Sequence, residues 1–153
     1  MKLDTTDVQI LNLLKQNSKY SLRKLAGQVH LSAPSVAERV RKLEAAGVIA
    51  GYTMQINRKA LGYTIDCWIE VTLRTGDSHR FTTFIRHCPT IIRCYCIAGR
   101  ACYMLLLTAD SLTAVERVIK QMAPFAETVT HIVLSEVPIA DRLIEQAARN
   151  KSR

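Results

Sequence analysis

The sequence lacks the long apolar segments that membrane insertion or secretion requires. No apolar run reaches the roughly 18 residues that a membrane-spanning helix needs. The first residues, MKLDTTD, are acidic and polar, whereas a signal peptide starts with basic residues and continues with an apolar stretch. Together these absences lead us to expect a cytoplasmic protein.

Catalytic motifs are missing as well. The sequence has no glycine-rich phosphate loop, no nucleophile elbow, and no histidine with an evident carboxylate and nucleophile partner. His131 alternates with valines in a strand-like segment, a pattern typical of a core or interface histidine. Asp66 and Glu70 share a predicted strand face with Trp68 and could resemble a catalytic pair of carboxylates. Carboxylates on such a face are more often solvated or part of an interface. We therefore expect no enzyme and no cofactor.

The cysteines do not form the even-numbered framework of a disulfide-rich secreted protein. They lie mostly in apolar segments, which favours buried, reduced thiols: Cys67, Cys88, Cys94, Cys96 and Cys102. A metal or redox sensor is the alternative, because Cys94 and Cys96 point to one side of a predicted strand. Cys102 on the neighbouring strand, with His87 and Cys88 a loop away, would complete a zinc-like ligand set. Since Cys-x-Cys is a weak signal and cysteine is commonly buried, we predict no metal site.

Acidic residues are scarce relative to basic ones. The chain has 13 Asp and Glu against 21 Lys and Arg, a formal net charge of +8. The excess is uneven, because residues 1–60 carry a net charge of +6 and residues 61–153 only +2. A polyanionic partner should therefore prefer the N-terminal part of the chain.

Residues 22–47, LRKLAGQVHLSAPSVAERVRKLEAAG, predict two short helices joined by a tight turn. Ser21 caps the first helix, whose apolar residues recur at i, i+3, i+4 and i+7. Ser32 caps the second helix, Pro34 lies in its first turn, and Gly47 ends it in a left-handed conformation. Only three or four residues separate the two helices, which is the spacing of a helix-turn-helix.

The second of these helices carries a polar and basic outer face. The face comprises Ser35, Glu38, Arg39 and Lys42, with Arg41 on its flank. A basic cluster is usually a solvated surface, but from Lys15 to Lys42 seven basic residues accompany a single acid. This excess and the turn spacing predict a helix that enters the DNA major groove, with basic residues on phosphates and Ser35, Glu38 and Arg39 at base edges. The predicted DNA-binding residues are Arg23, Lys24, Ser32, Ser35, Glu38, Arg39, Arg41 and Lys42.

The segments around this motif extend the prediction to the whole chain. Asp4 caps a first helix, which completes a three-helix unit, and residues 48–57 alternate as a strand would. The remaining pattern reads βαββαβ, which predicts a ferredoxin-like antiparallel sheet with both helices on one face. Its last strand is predicted over residues 128–137. The fold class is therefore α+β, with a winged-helix-like DNA-binding domain followed by a ferredoxin-like domain.

Domain boundaries follow from these elements. We predict a helix-turn-helix domain over residues 1–50, a linking strand and hinge over 51–62, and the ferredoxin-like domain over 63–140. The tail, residues 141–153, contains a short amphipathic helix and a frayed end at 150–153. Because two helices cover only one face of a sheet, the apolar open face around Trp68 predicts a dimer through this domain.

The chain resembles the Lrp/AsnC family of bacterial and archaeal transcription regulators. The resemblance rests on the start of the chain and on LSAPSVAERVRKLEAAGVIAGY at residues 31–52, followed by Leu61-Gly62-Tyr63 and the βαββαβ order. Within the family, IAGRACYML at 97–105 and TVTHIVLSE at 128–136 look most like the LrpC branch. The resemblance implies a sequence-specific regulator of double-stranded DNA that forms dimers and often octamers.

The resemblance also implies a small-molecule effector, an amino acid in many members, bound near a turn in the second domain. The matching residues are Ala98, Gly99, Arg100, Ala101 and Cys102. The family commonly has an acidic residue where Cys102 stands, and a thiol cannot hold an amino group as a carboxylate does. His30 replaces a frequent glycine in the helix-turn-helix turn, although histidine tolerates positive φ better than most residues. An architectural DNA-wrapping protein with little sequence preference is the alternative function.

Overall fold

The computed structural model describes residues 1–150 and divides the chain into two compact units. The first unit combines residues 1–55 with the chain from residue 138 onward, and the second spans residues 56–137. The first unit contains α1 (Thr5–Gln16), α2 (Leu22–Val29), α3 (Ala33–Ala45) and α6 (Leu143–Asn150). The second contains β1 (Ile65–Leu73), α4 (Ser78–His87), β2 (Ile91–Cys96), β3 (Tyr103–Ala109), α5 (Leu112–Met122) and β4 (Ala126–Ile132). No helix within residues 1–150 is both long and apolar enough to cross a bilayer.

The first unit is built on the predicted apolar faces of its helices. Ile10 of α1, Leu25 of α2 and Leu43 of α3 are fully or almost fully buried in one cluster. Asp4 caps α1, and its side chain accepts a hydrogen bond from the Asp7 backbone N–H. Gly47 has φ +67 just after α3, so the left-handed helix end predicted from the sequence is confirmed.

The strand predicted over residues 48–57 was wrong. Within residues 1–150, this segment joins no sheet. Its alternating side chains are largely in solvent, with Tyr52, Met54 and Ile56 exposed by 52%, 79% and 58%. Alternation gives a strand only where a neighbouring strand supplies hydrogen bonds, and none of the described strands pairs with this segment.

The second unit is the predicted ferredoxin-like arrangement. Its four strands form an antiparallel sheet in the order β2-β3-β1-β4. On one face, Cys67, Ile69 and Val71 of β1 are fully buried in a cluster that includes residues of α4 and α5. Because side chains alternate along a strand, Trp68 and Glu70 lie on the opposite face, which neither helix of the second unit covers.

The last strand ends earlier than predicted. Pairing with β1 stops at Ile132, whereas the sequence predicted a strand to residue 137. Leu134 and Val137 are exposed by 94% and 78%, so the apolar continuation has no neighbour in the described chain. The chain then returns to the first unit, where α6 forms the amphipathic helix predicted for the tail. This helix extends to Asn150, and the fraying predicted for residues 151–153 lies outside the described residues.

Candidate nucleic-acid interface

The helix-turn-helix consists of α2, a three-residue turn and α3. Ser21 Oγ accepts a hydrogen bond from the Lys24 backbone N–H at 3.2 Å and caps α2. His30 follows α2 with φ 55 and ψ 42, a left-handed conformation that non-glycine residues rarely adopt. The turn therefore forms with histidine in the position where the family often has glycine.

The first turn of α3 is fixed by two serines. Ser32 Oγ accepts a hydrogen bond from the Ser35 backbone N–H at 3.3 Å, and the two hydroxyls lie 2.7 Å apart. Both side chains are exposed. Ser35 therefore lies on the outer face of α3 with a hydroxyl that is oriented before any partner binds.

The remaining outer face of α3 is an internally paired cluster of charges. Arg41 donates two hydrogen bonds to Glu38, at 3.0 Å and 2.8 Å, and Lys42 Nζ lies 3.6 Å from Glu38 Oε1. The Arg41 guanidinium lowers the pKa of Glu38, while Glu38 raises the pKa of Arg41. All three side chains are about half exposed or more, so the pairs are weak and can exchange partners.

Arg39 differs from these neighbours, because it contacts α1. Its Nη1 donates to Asp4 Oδ2 at 2.6 Å and to Asp7 Oδ1 at 2.7 Å. These two carboxylates raise the pKa of Arg39. Burial alone would raise the pKa of Asp4, but hydrogen bonds from the Asp7 N–H and from Arg39 outweigh it, and that pKa is lowered. The sequence predicted Arg39 at base edges and did not predict these two partners.

The basic side chains of α2 have fewer ionic partners than those of α3. Within residues 1–150, the Arg23 side chain has no hydrogen bond or ion pair. Lys24 Nζ lies 4.6 Å above the ring of Tyr20, a contact that leaves its charge uncompensated. Two free positive charges therefore lie at the start of α2.

The predicted effector residues form a compact turn between β2 and β3. The Ile97 N–H donates to the Cys102 carbonyl at 3.0 Å, and the Cys102 N–H donates to the Val71 carbonyl at 2.9 Å. Gly99 has φ +149, a conformation that L side chains rarely adopt, so this position requires glycine. Ala101 is buried.

Arg100 leaves this turn to join an ionic cluster on the open sheet face. Its guanidinium donates two hydrogen bonds of 2.8 Å to Glu70, whose Oε1 also lies 3.1 Å from Nε2 of His131. Hydrogen bonds from Arg100, and to a lesser degree from His131, lower the pKa of Glu70 to about 2. No pattern in the sequence connected Glu70 with His131. The register of β1 against β4 brings the two side chains together.

The cysteines do not assemble into the zinc-like site considered above. Among residues 1–150, no group of three or more His, Cys, Asp or Glu side chains is arranged to hold a metal ion. The burial predicted for the cysteines is confirmed for Cys67 and is wrong for Cys94 and Cys96, which are exposed free thiols on the edge strand β2. Partial desolvation, and to a lesser degree Cys96, raises the pKa of Cys94, which disfavours the thiolate that would bind a metal.

Two family models match the chain. The model described as winged helix-turn-helix DNA-binding matches residues 3–50, the segment that holds α1 to α3. The model described as Lrp/AsnC ligand binding domain matches residues 66–143, which contain almost all of the sheet and both of its helices.

Curated relatives and a solved structure agree with these matches. The HTH-type transcriptional regulator LrpC of Bacillus subtilis is 47% identical over 137 residues, which cover 90% of this chain and 95% of that protein. The leucine-responsive regulatory protein of Escherichia coli is 30% identical over 149 residues, covering 93% and 91%. The solved structure of B. subtilis LrpC matches with a TM-score of 0.83 and 46% identity over 92% of this chain and 100% of that one.

Proposed function

This chain belongs to the Lrp/AsnC family of transcription regulators, and from that membership we propose how it recognises DNA. Helix α3 enters the major groove, where Ser35, Glu38 and Lys42 reach base edges. The phosphate contacts come from Arg23 and Lys24 on α2 and from Arg41 on the flank of α3. Ser32, at the N-terminus of α3, approaches a phosphate with its helix dipole behind it.

The observation that supports this assignment is the arrangement of free and paired charges on the helix-turn-helix. Arg23 and Lys24 are ready to neutralise phosphates and release counterions, which supplies affinity independent of sequence. Glu38 holds Arg41 and Lys42 in weak, exposed pairs. Base edges and phosphates can replace those pairs, so this part of the surface reads sequence at little electrostatic cost.

We further propose that the protein acts as a dimer through the open face of its sheet. Trp68 and Tyr95 lie on this face with ring centroids 6.4 Å apart, and Tyr95 and Val129 are about half exposed. These side chains form an apolar region beside the ionic cluster of Glu70, and an apolar sheet region without helices is a typical interface between copies of one chain. A second copy is the occupant that this face and the family both favour.

Dimerisation would pair two DNA-binding units. Two recognition helices in successive major-groove faces, about 34 Å apart, require roughly palindromic sites. Dimers that gather into octamers would present several such pairs and bend or wrap DNA, with added contacts offsetting the elastic cost. A regulator of this kind works where the DNA is, in the cytoplasm.

The match to a ligand binding domain supports modulation by a small molecule at the turn of residues 98–102. In this chain the turn offers a thiol at Cys102, and its Arg100 is already paired with Glu70. An amino acid effector would therefore need a partner other than residue 102 for its amino group.

Selection of duplexes from a random-sequence pool tests the DNA-binding proposal. At one salt concentration, a selected duplex should bind about a thousandfold more tightly than a shuffled duplex of the same base composition. A ratio near one would instead support the architectural alternative, and no complex even in dilute buffer would overturn DNA binding. Arg23→Gln should reduce the slope of log affinity against log salt by about 1 on both duplexes, whereas Arg117→Gln in the second unit should not.

A further inference from the structure

We infer that Arg39 is a positioning residue that fixes the recognition helix α3 on α1, and that it is not a DNA contact. This inference rests on the proposed function, because it concerns how α3 is held while it reads DNA. It departs from the role that the sequence alone predicted for Arg39. The geometry around Asp4 and Asp7 supports it.

All four oxygens of Asp4 and Asp7 accept hydrogen bonds. Two of these bonds form the capping box of α1: the Asp7 N–H donates to Asp4 Oδ1 at 2.8 Å, and the Asp4 N–H donates to Asp7 Oδ2 at 3.1 Å. Arg39 Nη1 serves the other two oxygens. The box at the start of α1 and the middle of α3 are thus one hydrogen-bonded network.

Burial makes this network costly to break. The Asp7 side chain is only 5% exposed and the Arg39 side chain 32% exposed. Loss of the guanidinium would leave an oxygen of Asp7 without a donor in a site that water barely reaches, and unsatisfied buried charges are strongly unfavourable. Asp4, at 53% exposed, is open to solvent and would tolerate the loss.

The charge of the network argues against a phosphate contact. One guanidinium shared by two carboxylates leaves a formal charge of −1 on the Arg39 side of α3. A phosphate approaching Arg39 would meet both carboxylates, whereas Arg41 is compensated only by the exposed and shared Glu38. Arg39 and Arg41 lie only two positions apart on one helix. Because their partners differ, Arg39 positions the helix whereas Arg41 contacts DNA.

The two roles make opposite predictions for the neutralisation of Asp4. If Arg39 contacts DNA, Asp4→Asn removes a competing negative charge and should tighten binding to any duplex. If Arg39 positions α3, Asp4→Asn loosens the link and should lower the ratio of the affinities for the selected and the shuffled duplex. Asparagine caps helices as well as aspartate does, so this variant retains the N-cap of α1.

The experiment measures affinities for the selected and shuffled duplexes over a series of salt concentrations with the full chain. We expect Arg39→Gln to lower the ratio of the two affinities by about tenfold, the effect of one mismatched base pair. Asp4→Asn keeps the buried bond between Arg39 and Asp7 and should lower this ratio by a smaller factor. For Arg39→Gln the salt slope on the shuffled duplex should equal that of the unaltered protein. Arg41→Gln is the matched comparison and should reduce that slope by about 1. Asp141→Asn, which neutralises a paired carboxylate elsewhere in the first unit, should leave both quantities unchanged.

A reduced salt slope for Arg39→Gln, or a ratio of the two affinities for Asp4→Asn that is equal to or above that of the unaltered protein, would overturn the inference. Thermal unfolding followed by circular dichroism identifies any variant whose first unit is no longer folded. If Arg39→Gln is such a variant, Asp4→Asn still decides between the two roles. Should the unaltered protein itself fail to distinguish the two duplexes, the proposed function fails, which is a separate result from equal ratios for protein and variants.

Discussion

Glu70 illustrates how partners set the charge of a single side chain. It lies on the open sheet face with 15% of its side chain exposed, between Arg100 and His131. Hydrogen bonds from these residues stabilise the carboxylate and lower its pKa to about 2. Such a shift links the stability of the second unit to pH, because the unfolded chain has no such partners.

We predict that the second unit loses stability as the pH falls from about 4.5 towards 2, and that Glu70 contributes to this loss. In the unfolded chain Glu70 binds a proton near its ordinary pKa of 4.5, whereas in the folded state it does so only near 2. The stabilisation is therefore complete above about pH 4.5 and disappears as the pH falls through about 2. Glu70→Gln should be less stable at neutral pH and lose less stability on acidification.

Denaturant titrations followed by the fluorescence of Trp68, the single tryptophan, measure this dependence. Glu116→Gln is the control, because Glu116 forms an exposed i,i+4 pair with Lys120 on α5 and should affect the acid dependence less. Parallel acid profiles for Glu70→Gln and the unaltered protein would contradict the prediction.

At the scale of elements, α6 belongs to the first unit although it lies far from α1, α2 and α3 in the sequence. Ile144 packs against the cluster of α1 to α3, Asn12 donates to Glu145 at 2.7 Å, and Lys15 donates to Asp141 at 2.6 Å. Both polar contacts join residues that are far apart in the sequence, so the i,i+4 spacing that predicts ion pairs within one helix does not predict them. The tail is therefore part of the DNA-binding unit.

We predict that Ile144→Ala lowers the free energy of unfolding of the first unit by about 1–2 kcal/mol, less than a fully buried isoleucine would cost. Hydrogen–deuterium exchange of peptides from α1 should become faster. Leu143→Ala on the same helix removes a comparable side chain that is 70% exposed, and it should have little effect. Equal exchange of α1 in both variants would show that α6 does not support the unit.

At the scale of the whole molecule, the open sheet face determines the proposed assembly. We predict that the protein sediments as a dimer or a multiple of it at micromolar concentration. Tyr95→Glu should shift it towards monomers, because the contact would remove water from a carboxylate beside the apolar ring of Trp68. Gln121→Glu adds the same charge to α5, on the covered side of the sheet, and should leave the assembly intact. A stable monomer of the unaltered chain would exclude the proposed dimer.

The family and the fold could be predicted because they depend on local patterns. Serines at helix starts, apolar residues at helical spacing and Gly47 at a helix end specify α2 and α3 before any tertiary contact forms. The βαββαβ order follows from alternation and breakers in the same way, and the matches to LrpC confirm the branch suggested by the residues around the 98–102 turn.

The segments where the prediction was wrong are those that depend on a neighbour. Residues 48–57 alternate like a strand, yet none of the four strands found in residues 1–150 pairs with them. The last strand ends at Ile132, where its pairing with β1 stops, although apolar residues continue. Alternation of apolar and polar residues indicates only how side chains would be distributed over two faces. A strand also needs backbone hydrogen bonds from another segment.

The sequence by itself determined the order of the helices and of the four strands of the sheet, and that a basic helix-turn-helix precedes an antiparallel sheet. Only the tertiary structure decided which charges meet. Arg39 finds Asp4 at a separation of 35 residues, and Lys15 finds Asp141 at a separation of 126. Caps and periodicity act within one or two helical turns, whereas ion pairs depend on which surfaces pack together. The packing of α3 on α1 gives Arg39 partners that Arg41 lacks, and on this difference we base the proposal that Arg39 positions the helix and Arg41 contacts DNA.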